Sequence, residues 1–338
     1  MHNVNRQVID IHCHRECAQA AALAKPEADR LGRKPLQFGN QLTKDVNIAQ
    51  LEFLRPKMES AEVRIADMDE MGVDIQALSV SPYHLFYWVG GETGLDAFRA
   101  INDDLAELVE AHPSRFVGLG AVPLQDPDAA VVELKRCSEE LGFRGVEIAT
   151  QIQGDELSNP RFETFWDTVE ELEMVVFIHP TPFTHPERFT DHFFINMIGH
   201  PLEETLCAGR LIFDGVMERH PGLKIVFAHG GGYLPAYAGR FDHAYHARKD
   251  VSHGLPKPPS EYLSRFYFDT MVFEADQLGF LINKYGSDHV LLGTDYPYDM
   301  GEEDPLGLIN RVDGLSEEDR DLIAGGNAAR LLGIERLE

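Results

Sequence analysis

Two histidines one residue apart, His12 and His14, close the apolar stretch Val8-Ile9-Asp10-Ile11-His12-Cys13-His14. On a β-strand, side chains alternate between faces, so the two imidazoles share a face and Cys13 takes the other. Imidazoles so placed can grip a single metal ion. Three later apolar runs also end in metal-type residues: Phe177-Ile178-His179-Pro180, Phe227-Ala228-His229-Gly230 and Leu292-Gly293-Thr294-Asp295-Tyr296-Pro297. One such histidine is more often a satisfied core residue. Five metal-type residues at matching strand ends indicate a site. The other histidines, His84, His185 and His200 among them, read as surface or structural.

Strand ends meet only if the scaffold gathers them. Runs of strand length at 8–14, 73–80, 116–122, 145–148, 175–178, 224–228, 265–269 and 290–292 alternate with segments of helical spacing. The helices are expected at 61–71, 96–111 (Asp96 as N-cap), 128–141, 160–173, 202–219, 233–247 and 275–285, with a closing pair at 316–324 and 327–332. Helical crossovers make the strands parallel. Eight such units in 338 residues predict an α/β fold of the (β/α)8 barrel class, with reactive groups at the C-terminal strand ends. A doubly wound open sheet fits the same order, but no GxGxxG turn follows the first strand. The segment 15–60 shows no clear period and contains Pro26, Pro35, Gly39 and Pro56. It reads as a long insertion after strand one, with short helix near 18–24 and 44–53, in a single domain spanning 1–338.

Composition excludes several partners. The chain carries 56 acidic against 30 basic residues, a net charge of −26, which argues against nucleic acid and anionic membranes. No apolar run approaches a membrane span of about 20 residues, and no leader precedes the first strand. Cys13, Cys17, Cys137 and Cys207 form no CxxC pair. The Cys13/Cys17 spacing suggests a metal clip or, in preference, a reduced cytoplasmic chain.

The set His12-x-His14, Ile178-His179-Pro180, Phe227-Ala228-His229-Gly230-Gly231-Gly232 and Leu291-Leu292-Gly293-Thr294-Asp295-Tyr296-Pro297 resembles the amidohydrolase superfamily, in its aminocarboxymuconate semialdehyde decarboxylase branch. The likeness runs from Val8 to Gly326-Asn327-Ala328-Ala329-Arg330-Leu331-Leu332 and includes Glu62-Val63-Arg64-Ile65 and Ile101-Asn102-Asp103-Asp104-Leu105. It implies one divalent metal, zinc or alternatively manganese, held by His12, His14, His179 and Asp295. His229 becomes an acid/base group outside the metal shell. Arg55 and Arg240 become the anchors for substrate carboxylates, with Arg240 supplied by the partner of a homodimer. Three imidazoles and a carboxylate do form a nitrogen/oxygen set suited to such an ion, and arginine matches a carboxylate with two parallel hydrogen bonds.

The implied activity is non-oxidative decarboxylation of an aromatic or dienoic carboxylic acid. The same metal set serves hydrolases of lactones or C–C bonds, with Asp295 as base, and hydratases of unsaturated acids. Strand four ends Glu147-Ile148-Ala149-Thr150, without the lysine that bridges a second metal in related hydrolases, so one ion is expected. A ligand-binding barrel without catalysis is the remaining reading. Thr181 and the loop 182–199 depart from the pattern. Its phenylalanines (Phe183, Phe189, Phe193, Phe194), with Tyr83, Phe86 and Trp88, are candidates for a flat pocket. Gly230–Gly232 could admit a substrate to the backbone or simply turn the chain into a helix.

Overall fold

In the computed structural model the described residues are 7–33, 38–181, 183 and 186–335. Eight parallel strands follow the chain in order: β1 (Ile9–Arg15), β2 (Ile75–Val80), β3 (Phe116–Ala121), β4 (Gly145–Ala149), β5 (Val175–His179), β6 (Lys224–Phe227), β7 (Tyr267–Asp269) and β8 (Val290–Leu291). Beyond β8 the chain pairs with β1. Ile11 N donates to Leu292 O (2.9 Å), Asp295 N to His12 O (2.8 Å) and His14 N to Tyr296 O (2.7 Å). The sheet thereby closes on itself as the (β/α)8 barrel.

One apolar group fills the barrel, including Ile9, Ile11, Phe177 and Val226. Another lies between strands and helices, including Cys13, Leu78, Phe98 and Trp166. On β1 both Ile9 and Ile11 belong to the interior group, so simple alternation would send His12 outward. It does not, because the register gains a residue: Asp10 pairs with Gln76, but Cys13 pairs with Leu78. This bulge restarts the alternation at His12, which packs at 5.0 Å from the interior Phe177 ring. His12 and His14 then face inward while Cys13 faces the helices.

The helices over 61–71, 275–285 and 327–332 match the expected bounds. The region after β1 does not: it contains α1 (Ala18–Leu31) and α2 (Gln41–Glu59), which leads directly into α3 (Ala61–Met71). Only Ala20 and Ala24 of α1 are buried, and α2 buries Thr43 and Asn47 beside Leu54 and Met58. Leu42, Val46, Ile48 and Phe53 of α2 are instead exposed. A buried face with polar residues and an outer face with apolar ones hides the helical period. Pro26 and Pro56 lie inside these helices.

Helix α4 (Gly91–Ala111) begins earlier than Asp96, with Gly90 as its N-cap. Gly94 resembles a breaker, yet a Cβ there would sit 2.3 Å from Val89 O, so the close turn requires glycine. The outer layer continues with α5 (Pro127–Glu139), α6 (Glu163–Glu171), α7 (His200–Phe213), α8 (Leu234–Ala247), α9 (Ala275–Tyr285) and α10 (Asn327–Leu332). A wide π turn, Ile195–Gly199, leads into α7.

Candidate active site

The ends of β1, β5 and β8 bring His12, His14, His179 and Asp295 together. One ligand atom from each lies within 4.8 Å of the others, and all four residues are buried. The Nε2 atoms of His12 and His14 are 3.1 Å apart. Asp295 Oδ1 lies 3.0 Å from His14 Nε2 and 3.3 Å from His12 Nε2. His12 Nδ1 donates to Asp269 Oδ2 at 2.6 Å, leaving a lone pair on Nε2. His14 Nδ1 lies 3.4 Å from Val80 O, which assigns its lone pair to Nε2 as well. Two lone pairs facing each other beside a carboxylate repel unless a cation lies between them. The donor set fits one divalent ion.

Electrostatics agree. Burial, aided by neighbouring positive imidazoles, pushes His179 well below its usual range, and burial also lowers His14; both remain neutral donors. Burial lowers His12 too, but Asp295 and Asp269 carry it up to about 9, marking where these carboxylates hold positive charge. Burial would raise the Asp295 carboxyl, yet His12, His14 and His229 hold it well below the carboxylate range.

His229 stands outside this group. Its Nδ1 donates to Glu204 Oε1 at 2.7 Å, and its Nε2 lies 3.6 Å from Asp295 Oδ2. Burial lowers its pKa, but Glu204 and Asp295 together raise it well above the usual histidine value. Burial pushes the Glu204 carboxyl up to about 7. His229 (φ 48°) and Asp295 (φ 55°) both hold the left-handed backbone that non-glycine residues rarely adopt. Such strain is retained where the side chain must point one way.

A cleft opens over His179 and Asp295. Its walls include Asn47, Gln50 and Leu54 from α2, Tyr83, Phe193, Asn196, His200 and Tyr298. Phe38 stacks near Tyr83 (6.0 Å) and near Phe193 (6.3 Å), giving a flat roof. Thus Tyr83 and Phe193 do face the cleft, whereas Phe86 is buried in the outer core. Trp88 packs edge-on against Phe86. Phe183 stacks on His200. His200 is therefore half-buried at the cleft wall: burial, then the charge on His229, pushes its pKa down to about 3. His84 is structural, and His185 lies outside the described residues.

Other expectations separate here. Arg55, on α2, and Arg240, on α8, are exposed and absent from the walls of the cleft. Cys13 and Cys17 are buried and free, Cys17 capping α1 through Ala20 N, so they form no metal clip. Gly230–Gly232 serves packing: a Cβ would meet Val272, Phe268 and Pro201 O at 2.5, 2.7 and 2.2 Å. No helix among the described residues is long and apolar enough to cross a membrane.

Residues 9–334 match the sequence profile of the amidohydrolase family. The chain belongs to that family. It is 38% identical over 275 residues to 2-amino-3-carboxymuconate-6-semialdehyde decarboxylase of Dictyostelium discoideum, covering 81% of this chain and 77% of that one. Among solved amidohydrolase-like structures, 5-carboxyvanillate decarboxylase from Sphingomonas paucimobilis superposes with a TM-score of 0.85 at 27% identity, covering 97% of this chain and 99% of that one. A dihydroxybenzoic acid decarboxylase from Polaromonas sp. JS666, solved with manganese and the inhibitor 2-nitroresorcinol, gives 0.82 at 25% identity, covering 98% of each chain.

Asp269, Glu204 and Glu147 have no part in the sequence reading as functional groups. Asp269 ends β7 and Glu147 lies in β4, so the rule of strand ends extends to both. Glu147 lies 3.8 Å from His14 Nδ1, and burial pushes its carboxyl up to about 8, so it stays protonated at neutral pH. Glu204 comes from the middle of α7, where no local pattern signals a partner for His229.

Proposed function

We propose that this amidohydrolase is a metal-dependent, non-oxidative decarboxylase of an aromatic or dienoic carboxylic acid. The observation that carries the reading is the position of His229: raised in pKa, fixed by Glu204, and facing the buried ligand group across Asp295. A divalent ion held by His12, His14, His179 and Asp295 would supply, when bound, positive charge for the substrate's oxygens and draw electron density from the reacting carbon. We propose zinc, on the nitrogen-rich donor set, with manganese as the alternative that the Polaromonas neighbour carries.

The flat roof of Phe38, Tyr83 and Phe193 orients a planar substrate and keeps water from its face. His229, protonated at Nε2, gives that proton to the carbon bearing the carboxylate, interrupting conjugation. The bond to the carboxyl carbon then breaks, CO2 departs, and the released electron pair restores the conjugated system. Water reprotonates His229. Asp295, beside Nε2, stabilises the imidazolium before transfer. Arg55 follows Leu54 at the wall of the cleft, which supports a role for it at the rim. Arg240 is exposed on α8 beside Tyr237, consistent with donation into the cleft of a second copy in a homodimer. The chain acts as one barrel domain, and its four buried free cysteines suit the cytoplasm.

The test is CO2 release by the metal-loaded protein from a panel of carboxylated aromatics, muconate semialdehydes and pyrones, with product identification. A product lacking one carboxyl is expected. Solvent oxygen incorporated without CO2 would overturn the reading in favour of hydrolysis or hydration. His229→Ala should retain bound metal and lose at least about 100-fold in turnover; substantial residual activity would remove His229 from the mechanism.

A further inference from the structure

Asn196 and His200 lie one helical turn apart where the turn Ile195–Gly199 runs into α7, and both line the cleft with His179 and Asp295. The His200 ring lies face to face with Phe183, 5.0 Å away and 3° from parallel. His179 is 5.9 Å from it and His229 5.4 Å, so His200 stands beside both the ligand group and the proton carrier. The Asn196 amide nitrogen is 3.5 Å from His200 Nδ1 and donates to it. An imidazole that accepts at Nδ1 carries its proton at Nε2. Nε2 has no hydrogen-bond partner among the described residues. A ring fixed in plane, with a donor at the cleft wall that no described residue takes up, is equipped to read one oxygen of a flat ligand.

We propose that His200 is a specificity residue whose Nε2–H donates to a hydroxyl or carbonyl oxygen on the carbon adjacent to the one bearing the substrate's carboxylate. The adjacency follows from its place: with the substrate's carboxylate on an ion that His179 and Asp295 would help to hold, the imidazole 5.9 Å from the His179 ring is within reach of the substituent on the next carbon. The preference for an uncharged oxygen follows from the wall, where Asp295 and Asp299 already place carboxylates and the described residues include no lysine or arginine. The inference rests on the decarboxylase reading for the position of the carboxylate. Its test reads binding, not CO2.

Binding of benzoate, 2-hydroxybenzoate and 2,6-dihydroxybenzoate to the zinc-loaded protein is measured by calorimetry, with metal content and melting temperature followed in parallel. The wild type should prefer the hydroxylated acids over benzoate by about tenfold, the scale of one added hydrogen bond. His200→Phe keeps an aromatic ring against Phe183 but has no donor, and should reduce that preference to about twofold or less with metal content unchanged. His200→Gln, which regains a donor, should recover part of it. A full preference in His200→Phe overturns the proposal. So does equal weakening of all three acids together with metal loss, since His200 would then be structural. If no substrate releases CO2 but the preference still tracks the donor, the specificity role stands and only the reaction changes.

Discussion

Asp269 and Glu204 do the same job for different imidazoles: each accepts from an Nδ1–H and so decides what the far nitrogen can do. Asp269→Asn weakens the orientation and basicity of His12, and the affinity for zinc should fall about 10- to 100-fold in chelator competition. Glu204→Gln removes the carboxylate that raises His229. The pKa of His229 then drops, its proton is lost at lower pH, and the alkaline limb of the kcat profile should shift to lower pH. An unmoved limb would show that Glu204 does not act through His229. Sequence exposed the ligands because each ends a strand. It left Glu204 and His200 unmarked because both come from the helical side of the barrel, His200 to the cleft and Glu204 to His229, where no repeating pattern reveals a meeting 25 residues along the chain.

The elements were readable wherever one face was consistently apolar. The period of α9 is clear and its bounds agree; α3, which buries Arg64 beside Met68, was bounded instead by its Gly72 stop. In α1 and α2 the prolines and the polar buried face concealed the full length of two helices expected only as short pieces near 18–24 and 44–53, one of which supplies a wall of the cleft. The bulge in β1 was equally invisible, since a gained residue leaves the spacing of His12 and His14 intact while changing which face they share with Ile11. The turn after β6 shows how tightly these joins are made. Gly232 has φ 66° and ψ −135°, a backbone region closed to other residues, and its missing Cβ clears Pro201 O. Gly232→Ala should cost at least about 2 kcal/mol, seen as a lower melting temperature, together with reduced turnover as His229 moves.

Across the whole molecule, a net charge of −26 repels an anionic substrate before any contact is made. Salt screens that repulsion, so kcat/KM for a carboxylate should rise about two- to threefold between low and physiological ionic strength; a fall would indicate a locally positive approach. Acid acts through buried histidine. Burial lowers His84 from 6.5 to about 4, so the unfolded chain binds the extra proton between those values. Its stabilising share is present above about pH 6.5 and lost as pH falls toward 4, roughly 2 kcal/mol between pH 7 and pH 5. His84→Gln should flatten that part of a melting-temperature profile relative to wild type. The closure of the barrel has a consequence in time as well. Asp10 and Thr294, hydrogen-bonded neighbours beside the ligands, are 284 residues apart in sequence. A ribosome delivers His12 and His14 first, His179 midway and Asp295 almost last, so a nascent chain carries two and then three donors through nearly all of its synthesis without the carboxylate that completes the set. Metal capture is therefore a late step in the protein's biogenesis, and a product stalled before the last strand would leave the ribosome without a complete site to load.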